Sequence, residues 1–253
     1  MTNSVLVVPC FNEETRLDRA EFLALSRAAP FDLLFVDDGS TDGTLRVLEE
    51  LRSTAPERIR VLALEKNRGK GEAVRRGLQG GLLTGGPIVG FADADLATPP
   101  EELVRLESEL AASDLQVVVG SRVMLMGTEI KRHLPRHAVG RLFATFAAEI
   151  LGMPFYDTQC GAKFFRDTPA LRAALERPFL SRWAFDIELI GRLHIGTREA
   201  PGIPREQFRE IPLRKWIDVA KSKLSLADMA RTLVDLARID RELARLRAAR
   251  GST

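Results

Sequence analysis

Cysteine and histidine are scarce in this 253-residue chain, net charge is small, and no long apolar run is present. Cys10 and Cys160 stand far apart, which excludes a disulfide-dense scaffold and fits two free thiols in a reducing compartment. The histidines His133, His137 and His194 give no metal-ligand pattern: Pro135 interrupts the i,i+4 pair, and no third ligand accompanies it. Lys and Arg number 37 against 35 Asp and Glu, so bulk electrostatics gives no reason to expect nucleic acid as a partner. The longest largely apolar stretch, Leu142 to Phe155, contains Glu149 and falls short of the ~20 residues a spanning helix needs. Met1-Thr2-Asn3-Ser4 runs into an apolar strand without a basic leader or cleavage site, so neither a signal peptide nor a transmembrane helix is expected. The expected location is cytoplasmic, at most peripheral on the cytoplasmic face of a membrane.

What is present is 45% hydrophobic residues arranged in a regular rhythm. Short apolar runs at Ser4 to Val8, Asp32 to Val36, Arg60 to Leu64, Pro87 to Ala92 and Leu115 to Gly120 read as strands. Helix-period segments at Glu13 to Ala28, Asp42 to Arg52, Gly71 to Leu83 and Pro99 to Ala112 separate them. That alternation predicts an α/β fold in three layers, with helices on both faces of a mostly parallel sheet and ligands bound at the strands' carboxyl ends. Past Ser121 the rhythm breaks into a basic stretch, then a short strand at Ala162 to Phe165, helices near Pro169 to Leu175 and Phe185 to Leu193, and a strand about Phe208 to Leu213. Ser225 to Arg250 repeats leucine and methionine at helical intervals opposite an arginine-rich face. The expected division is a catalytic domain over 1–225 and a basic amphipathic C-terminal helix over 226–253.

The most informative stretch is Phe91-Ala92-Asp93-Ala94-Asp95, where an apolar strand ends in two carboxylates one residue apart. In an extended segment i and i+2 share a face, so Asp93 and Asp95 can converge on a hard cation, Mg²⁺ or Mn²⁺, completed by water and diphosphate oxygens. Thr98-Pro99-Pro100-Glu101 reads as a separate helix start with Thr98 as N-cap, leaving the aspartates free of capping duty. Three other strand ends carry polar clusters: Pro9 to Glu14, Asp37 to Asp42 and Asn67 to Gly71. Together they would ring one crevice, with Asp37 or Asp38 reading base and ribose and Lys70 or Arg68 near a diphosphate.

Val7-Val8-Pro9-Cys10-Phe11-Asn12-Glu13-Glu14, Val36-Asp37-Asp38-Gly39-Ser40-Thr41-Asp42, Asn67-Arg68-Gly69-Lys70-Gly71 and Asp93-Ala94-Asp95 together resemble the family 2 glycosyltransferases of GT-A fold. The resemblance implies that Pro9, Asn12, Glu13 and Asp38 hold the nucleoside, with Lys70 nearby, and that Asp93 and Asp95 carry the metal; Asp37, adjacent to Asp38, is counted with the nucleotide-binding candidates on the residue reading above. In the second half, Gly120-Ser121-Arg122, Asp157 to Phe165 and Arg182 to Leu189 look like the dolichyl-phosphate β-glucosyltransferase branch, close to polyprenyl-phosphate hexosyltransferases. That branch implies inverting transfer of glucose from UDP-glucose to a polyprenyl phosphate at a membrane surface, with GDP-mannose or a soluble hydroxyl acceptor as alternatives. This sequence shows no N-terminal anchor helix of the kind the glucosyl branch carries.

The resemblance makes Asp157 the candidate base, with Asp95 and Arg122 beside it in catalysis. A phosphate monoester, however, has a second pKa of about 6 and is largely ionised at neutral pH, so it hardly needs a base. Asp157 could instead orient the reactants. An anionic acceptor calls for cations, and Arg122, Arg132 and Arg136 fall on the implied acceptor side, next to Lys131. Asp186, rather than Glu188, is the candidate for binding sugar, since on a helix residues i and i+2 face apart. A homo-oligomer is compatible with all of this. A reading from another class is an inactive nucleotide-sugar-binding scaffold docked on membrane by its basic tail.

Overall fold

The computed structural model describes residues 4–131, 134–217 and 226–251. The parallel strands β1 (Ser4–Cys10), β2 (Phe31–Asp37), β3 (Ile59–Ala63) and β4 (Ile88–Ala92) alternate with helices α1 (Arg19–Ala28), α2 (Thr44–Thr54), α3 (Lys70–Leu82) and α4 (Pro100–Ala111). They are followed by β5 (Val117–Ser121), β6 (Glu129–Lys131), α5 (Leu134–Leu151), β7 (Ala162–Arg166), α6 (Pro169–Glu176) and α7 (Phe185–Ile195). The chain continues through β8 (Phe208–Pro212), β9 (Lys215–Ile217) and α8 (Leu226–Gly251). The main sheet has the order β3-β2-β1-β4-β7-β5-β8, and β6 pairs with β9 in a separate two-stranded ribbon. Only β7 runs antiparallel to its neighbours in the main sheet.

The pleat explains the layering. On one face Val5, Val7, Leu34, Val36, Val89, Phe91, Val117, Val119 and Phe165 pack beneath α3, α6, α7 and part of α8. On the other, Leu6, Val8, Leu33, Phe35, Ile88, Val118 and Phe164 pack against α1, α2 and α4. Alternate residues of each strand therefore serve opposite cores, as a sheet covered on both faces requires. Gly77 lets α3 approach closely: a Cβ there would lie 2.2 Å from a methyl of Val7. Leu236, Ile239 and Leu243 of α8 join the first core, buried against α7.

Several local expectations are corrected. The first helix begins at Arg19, not Glu13, because the Asp18 side chain accepts from Glu21 N and caps it there. Thr98 does not cap α4: Pro99 occupies the N-cap position with no side-chain cap bond, and the helix is entered through Pro100. Asp186 and Glu188 do not face apart into core and solvent, because α7 is covered on all sides and both carboxylates are buried. The β6–β9 ribbon was not legible as strands. Both thiols are free and buried.

Candidate active site

The carboxyl ends of β1, β2 and β4 lie side by side in the sheet, and the loops leaving them interlock. Asn12 adopts a left-handed backbone, φ 54°, which turns the chain sharply after β1. Its Oδ1 accepts from Thr41 N at 2.9 Å, and its own N donates to Ser40 Oγ at 3.0 Å. Glu13 N donates to Thr44 Oγ1 at 2.8 Å, so the first two loops brace each other. The Asp37 carboxylate accepts from Ser40 N within its own turn. Asp38 is buried and accepts from Arg68 N and Gly69 N, each at 2.8 Å, which fastens the entry to α3. Burial pushes the Asp38 carboxyl up against those two donors. Pro9, the last residue but one of β1, is half-buried and pairs with Val36 of β2.

Lys70, at the start of α3, sets its Nζ 2.5 Å from Asp93 Oδ1. Burial opposes its charge, but Asp93, Asp186 and Asp95 together raise its pKa above the ordinary lysine value. Asp95 accepts from Ala97 N at 3.1 Å and faces Arg16 at 3.7 Å. Burial and the adjacent Asp93 charge raise the Asp95 carboxyl, the signature of like charges crowded in one place. Leu96, also left-handed at φ 49°, turns the chain directly after this pair.

The strand inserted between β4 and β5 brings a second group to the same edge. Asp93 N donates to Gly161 O at 3.0 Å, and a Cβ on Gly161 would lie 2.1 Å from Asp93 Oδ2. A side chain at 161 would displace the Asp93 carboxylate from this position. Three residues earlier in this loop than Cys160, Asp157 receives three bonds from Arg122 just past the end of β5: from N at 3.1 Å, Nε at 2.6 Å and Nη2 at 2.8 Å. The guanidinium lies 5.3 Å over the Trp216 ring, and the Asp157 carboxylate keeps it charged against its burial. Glu210 on β8 clamps the loop from behind, accepting from Tyr156 N and Asp157 N at 2.7 Å each.

Asp186 is buried and paired with Lys163, whose Nζ lies 2.5 Å from Asp186 Oδ1 and 2.6 Å from Cys160 O. Burial raises the Asp186 carboxyl despite the pull of Lys163 and Lys70. Glu188 pairs with Arg192 and accepts from Leu180 N, so it serves packing. The structure thus gathers Asp93, Asp95, Lys70, Asp157 and Arg122 around one edge, with Asn12, Asp37 and Asp38 binding the loops beside them. Arg132 lies outside the described residues, as does the side chain of Arg136.

Sequence reasoning did not single out Lys163, Glu210, Arg16 or Arg182, which donates to the Asn67 side chain across the edge of the crevice. The signal for Lys163 was there: a lysine inside an otherwise apolar strand, Ala162-Lys163-Phe164-Phe165, needs a buried partner. Among the described residues no group of three or more His, Cys, Asp or Glu is arranged to hold a metal alone. The Asp93 and Asp95 oxygens nonetheless suit a hard divalent ion whose shell is completed by ligand oxygens, and their mutual repulsion favours a cation between them.

Residues 5–170 match the sequence model of glycosyl transferase family 2. Over 256 residues the chain is 33% identical to the dolichyl-phosphate beta-glucosyltransferase of Saccharomyces cerevisiae, covering 90% of this chain and 72% of that protein. The human enzyme of the same description is 32% identical over 87% of this chain and 68% of its own length. Among solved structures, glucosyl-3-phosphoglycerate synthase from Mycobacterium tuberculosis, in complex with Mn²⁺, UDP and glucosyl-3-phosphoglycerate, superposes with a TM-score of 0.61. It is 21% identical, and the match covers 98% of this chain and 80% of that one, a likeness of fold.

Proposed function

As a member of glycosyl transferase family 2, the chain is a glycosyltransferase, and we propose that it moves glucose from UDP-glucose to a polyprenyl phosphate with inversion at the anomeric carbon. The observation that carries this reading is the meeting, at one sheet edge, of a carboxylate pair with its lysine (Asp93, Asp95, Lys70) and a carboxylate-held arginine (Arg122 on Asp157). The first group suits a metal-bound diphosphate, the second an anionic acceptor.

In this reading Asp93 and Asp95 would hold Mg²⁺ or Mn²⁺, which would offset charge on the departing diphosphate. Lys70, paired with Asp93, would supply a second positive charge to the diphosphate oxygens beside such an ion. Asn12, Glu13, Asp37 and Asp38 shape the nucleoside site through the loop braces described above, with Pro9 just before them in β1. Arg122 draws in the acceptor phosphate, and Asp157 aims it. An ionised phosphate oxygen attacks without giving up a proton, so no general base is needed. The three bonds from Arg122 support that division, since they engage both Asp157 oxygens. Asp186 acts through Lys163 and the Cys160 carbonyl rather than on sugar directly.

The test is transfer of labelled glucose from UDP-glucose to a short polyprenyl phosphate with Mn²⁺ or Mg²⁺, followed by organic extraction, with GDP-mannose in parallel. Metal-dependent label in the organic phase from UDP-glucose is the expected result. Label from GDP-mannose alone would reassign the donor, and none from either would remove the lipid acceptor.

A further inference from the structure

The loop leaving Arg122 carries the most exposed apolar cluster on the described surface. Met124, Leu125 and Met126 are consecutive, with relative exposures of 55%, 52% and 103%. Three large apolar side chains in a row seldom face water in a protein that works free in solution. They are not a slack end: Thr128 N and Oγ1 both donate to Leu125 O, at 3.1 and 2.8 Å, and Leu125 N donates to Thr128 Oγ1 at 3.0 Å. Gly127, at φ +85° with open space around it, closes the turn. The apolar tip is therefore a built feature, held out from the body.

Its surroundings point to one kind of partner. The tip feeds β6, which pairs with β9 in the register Lys131↔Ile217, and Ile217 is also exposed, at 41%. Trp216 of the same ribbon lies under Arg122, so the tip stands beside the Arg122–Asp157 pair. The ribbon itself carries cations, Arg214 exposed just before β9 and Lys215 half-buried at its start. The sequence along and beyond its strands is basic as well, with Lys131 at the end of β6, Arg132, Arg136 and Arg141 after it, and Lys221 and Lys223 after β9. Apolar side chains flanked by lysine and arginine match a bilayer surface, whose acyl boundary takes the first and whose anionic headgroups attract the second.

We propose that the Met124-Leu125-Met126 tip inserts into an anionic lipid bilayer and sets the Arg122 edge of the site against it. The inference rests on the lipid-acceptor reading for its purpose, while the docking itself is physically independent of catalysis.

The experiment is co-sedimentation of the full chain with vesicles of phosphatidylcholine alone and with about 30% phosphatidylglycerol, for wild type and for Met124→Ser/Leu125→Ser/Met126→Ser. Wild type is expected to partition onto the anionic vesicles, and the triple variant on the order of tenfold less. In a Leu125→Trp variant, the emission of the introduced indole should be quenched by brominated acyl chains. Wild type that stays in solution, a triple variant that binds as wild type does, or an indole that brominated chains leave unquenched each overturns the proposal. Transfer to a water-soluble short-chain prenyl phosphate without vesicles is measured alongside. Vesicle binding without such transfer sinks the acceptor reading and leaves the docking standing; transfer without vesicle binding does the reverse.

Discussion

Replacing Lys163 by methionine isolates one buried charge and predicts how stability changes with pH. Lys163 is fully buried, bonded to Asp186 Oδ1 and Cys160 O, with its Nζ 5.1 Å from the Phe91 ring centre. Methionine fills similar apolar volume, so the main loss is the cation and its two bonds. Asp186, 4% exposed, then keeps only the more distant attraction of Lys70. Removing one member of a buried pair costs about 3–5 kcal/mol, because the other is left uncompensated. Asp186 can escape part of this by holding a proton. Its pKa is already raised above the ordinary 3.8 by burial, and losing Lys163 removes the largest influence opposing that rise. Between 3.8 and the folded-state pKa the native chain keeps a proton that the unfolded chain has lost. Stability therefore falls as pH rises through that window, by ~1.4 kcal/mol per unit. Urea unfolding of Lys163→Met should show its smallest deficit near the acid end and about 3–5 kcal/mol near neutrality and above. Lys163→Met/Asp186→Asn should show a deficit that no longer grows with pH. Equal deficits for the single variant at about pH 5 and pH 8 would mean that Asp186 is not the group uncovered, and the reasoning fails.

Three further outcomes follow from the site. Gly161→Ala forces a methyl into Asp93 Oδ2, so it should cost about 1–3 kcal/mol and weaken Mn²⁺-dependent UDP binding in calorimetry; unchanged metal dependence would separate Gly161 from the cation site. Asp95→Asn relieves the crowding with Asp93 and removes a charge the cation needs, so stability should hold while transfer falls on the order of a hundredfold or more, read by label transfer over a Mn²⁺ series. Arg122→Lys keeps the charge but not the fork on Asp157, so KM for a phosphate acceptor should rise about tenfold with UDP affinity unchanged; a fall in kcat alone would place Arg122 in the chemical step instead.

The first half of the fold was legible because a parallel strand buried on both faces leaves a continuous apolar run, and each run here ends in a polar loop. Chain order alone then places the β1, β2 and β4 junctions along one edge. Boundaries were less legible. The Asp18 cap and the Pro99-Pro100 entry decide where α1 and α4 begin, and each competes with plausible caps a few residues away. The α7 expectation failed for a different reason: amphipathic reasoning assumes a solvent face, and this helix has none, so both acids turn inward to Lys163 and Arg192. The β6–β9 ribbon was hidden because three-residue strands carry no periodicity.

The antiparallel insertion of β7 has a consequence for chemistry that no local pattern could show. In a parallel sheet, the groups available at the active edge come from loops that follow strands. A strand running the other way presents at that edge the residues that precede it. Because Ala162 of β7 pairs with Ala92 of β4, the loop just before β7 must lie against the loop just after β4. That is why Gly161 can touch Asp93, and why Asp157, distant in sequence, comes within reach of Arg122 beyond β5. Lys163, one residue into β7, sits opposite Phe91 on one side and Val119 on the other, and ties the loop's Cys160 carbonyl to Asp186 on α7. A single reversed strand thus joins the acidic pair to the Arg122–Asp157 pair through five residues of loop, from 157 to 161. Shifting β7 by one residue would send Lys163 to the opposite core and Phe164 toward Asp186, so the register that protects the buried charge also sets the spacing between the two halves of the site.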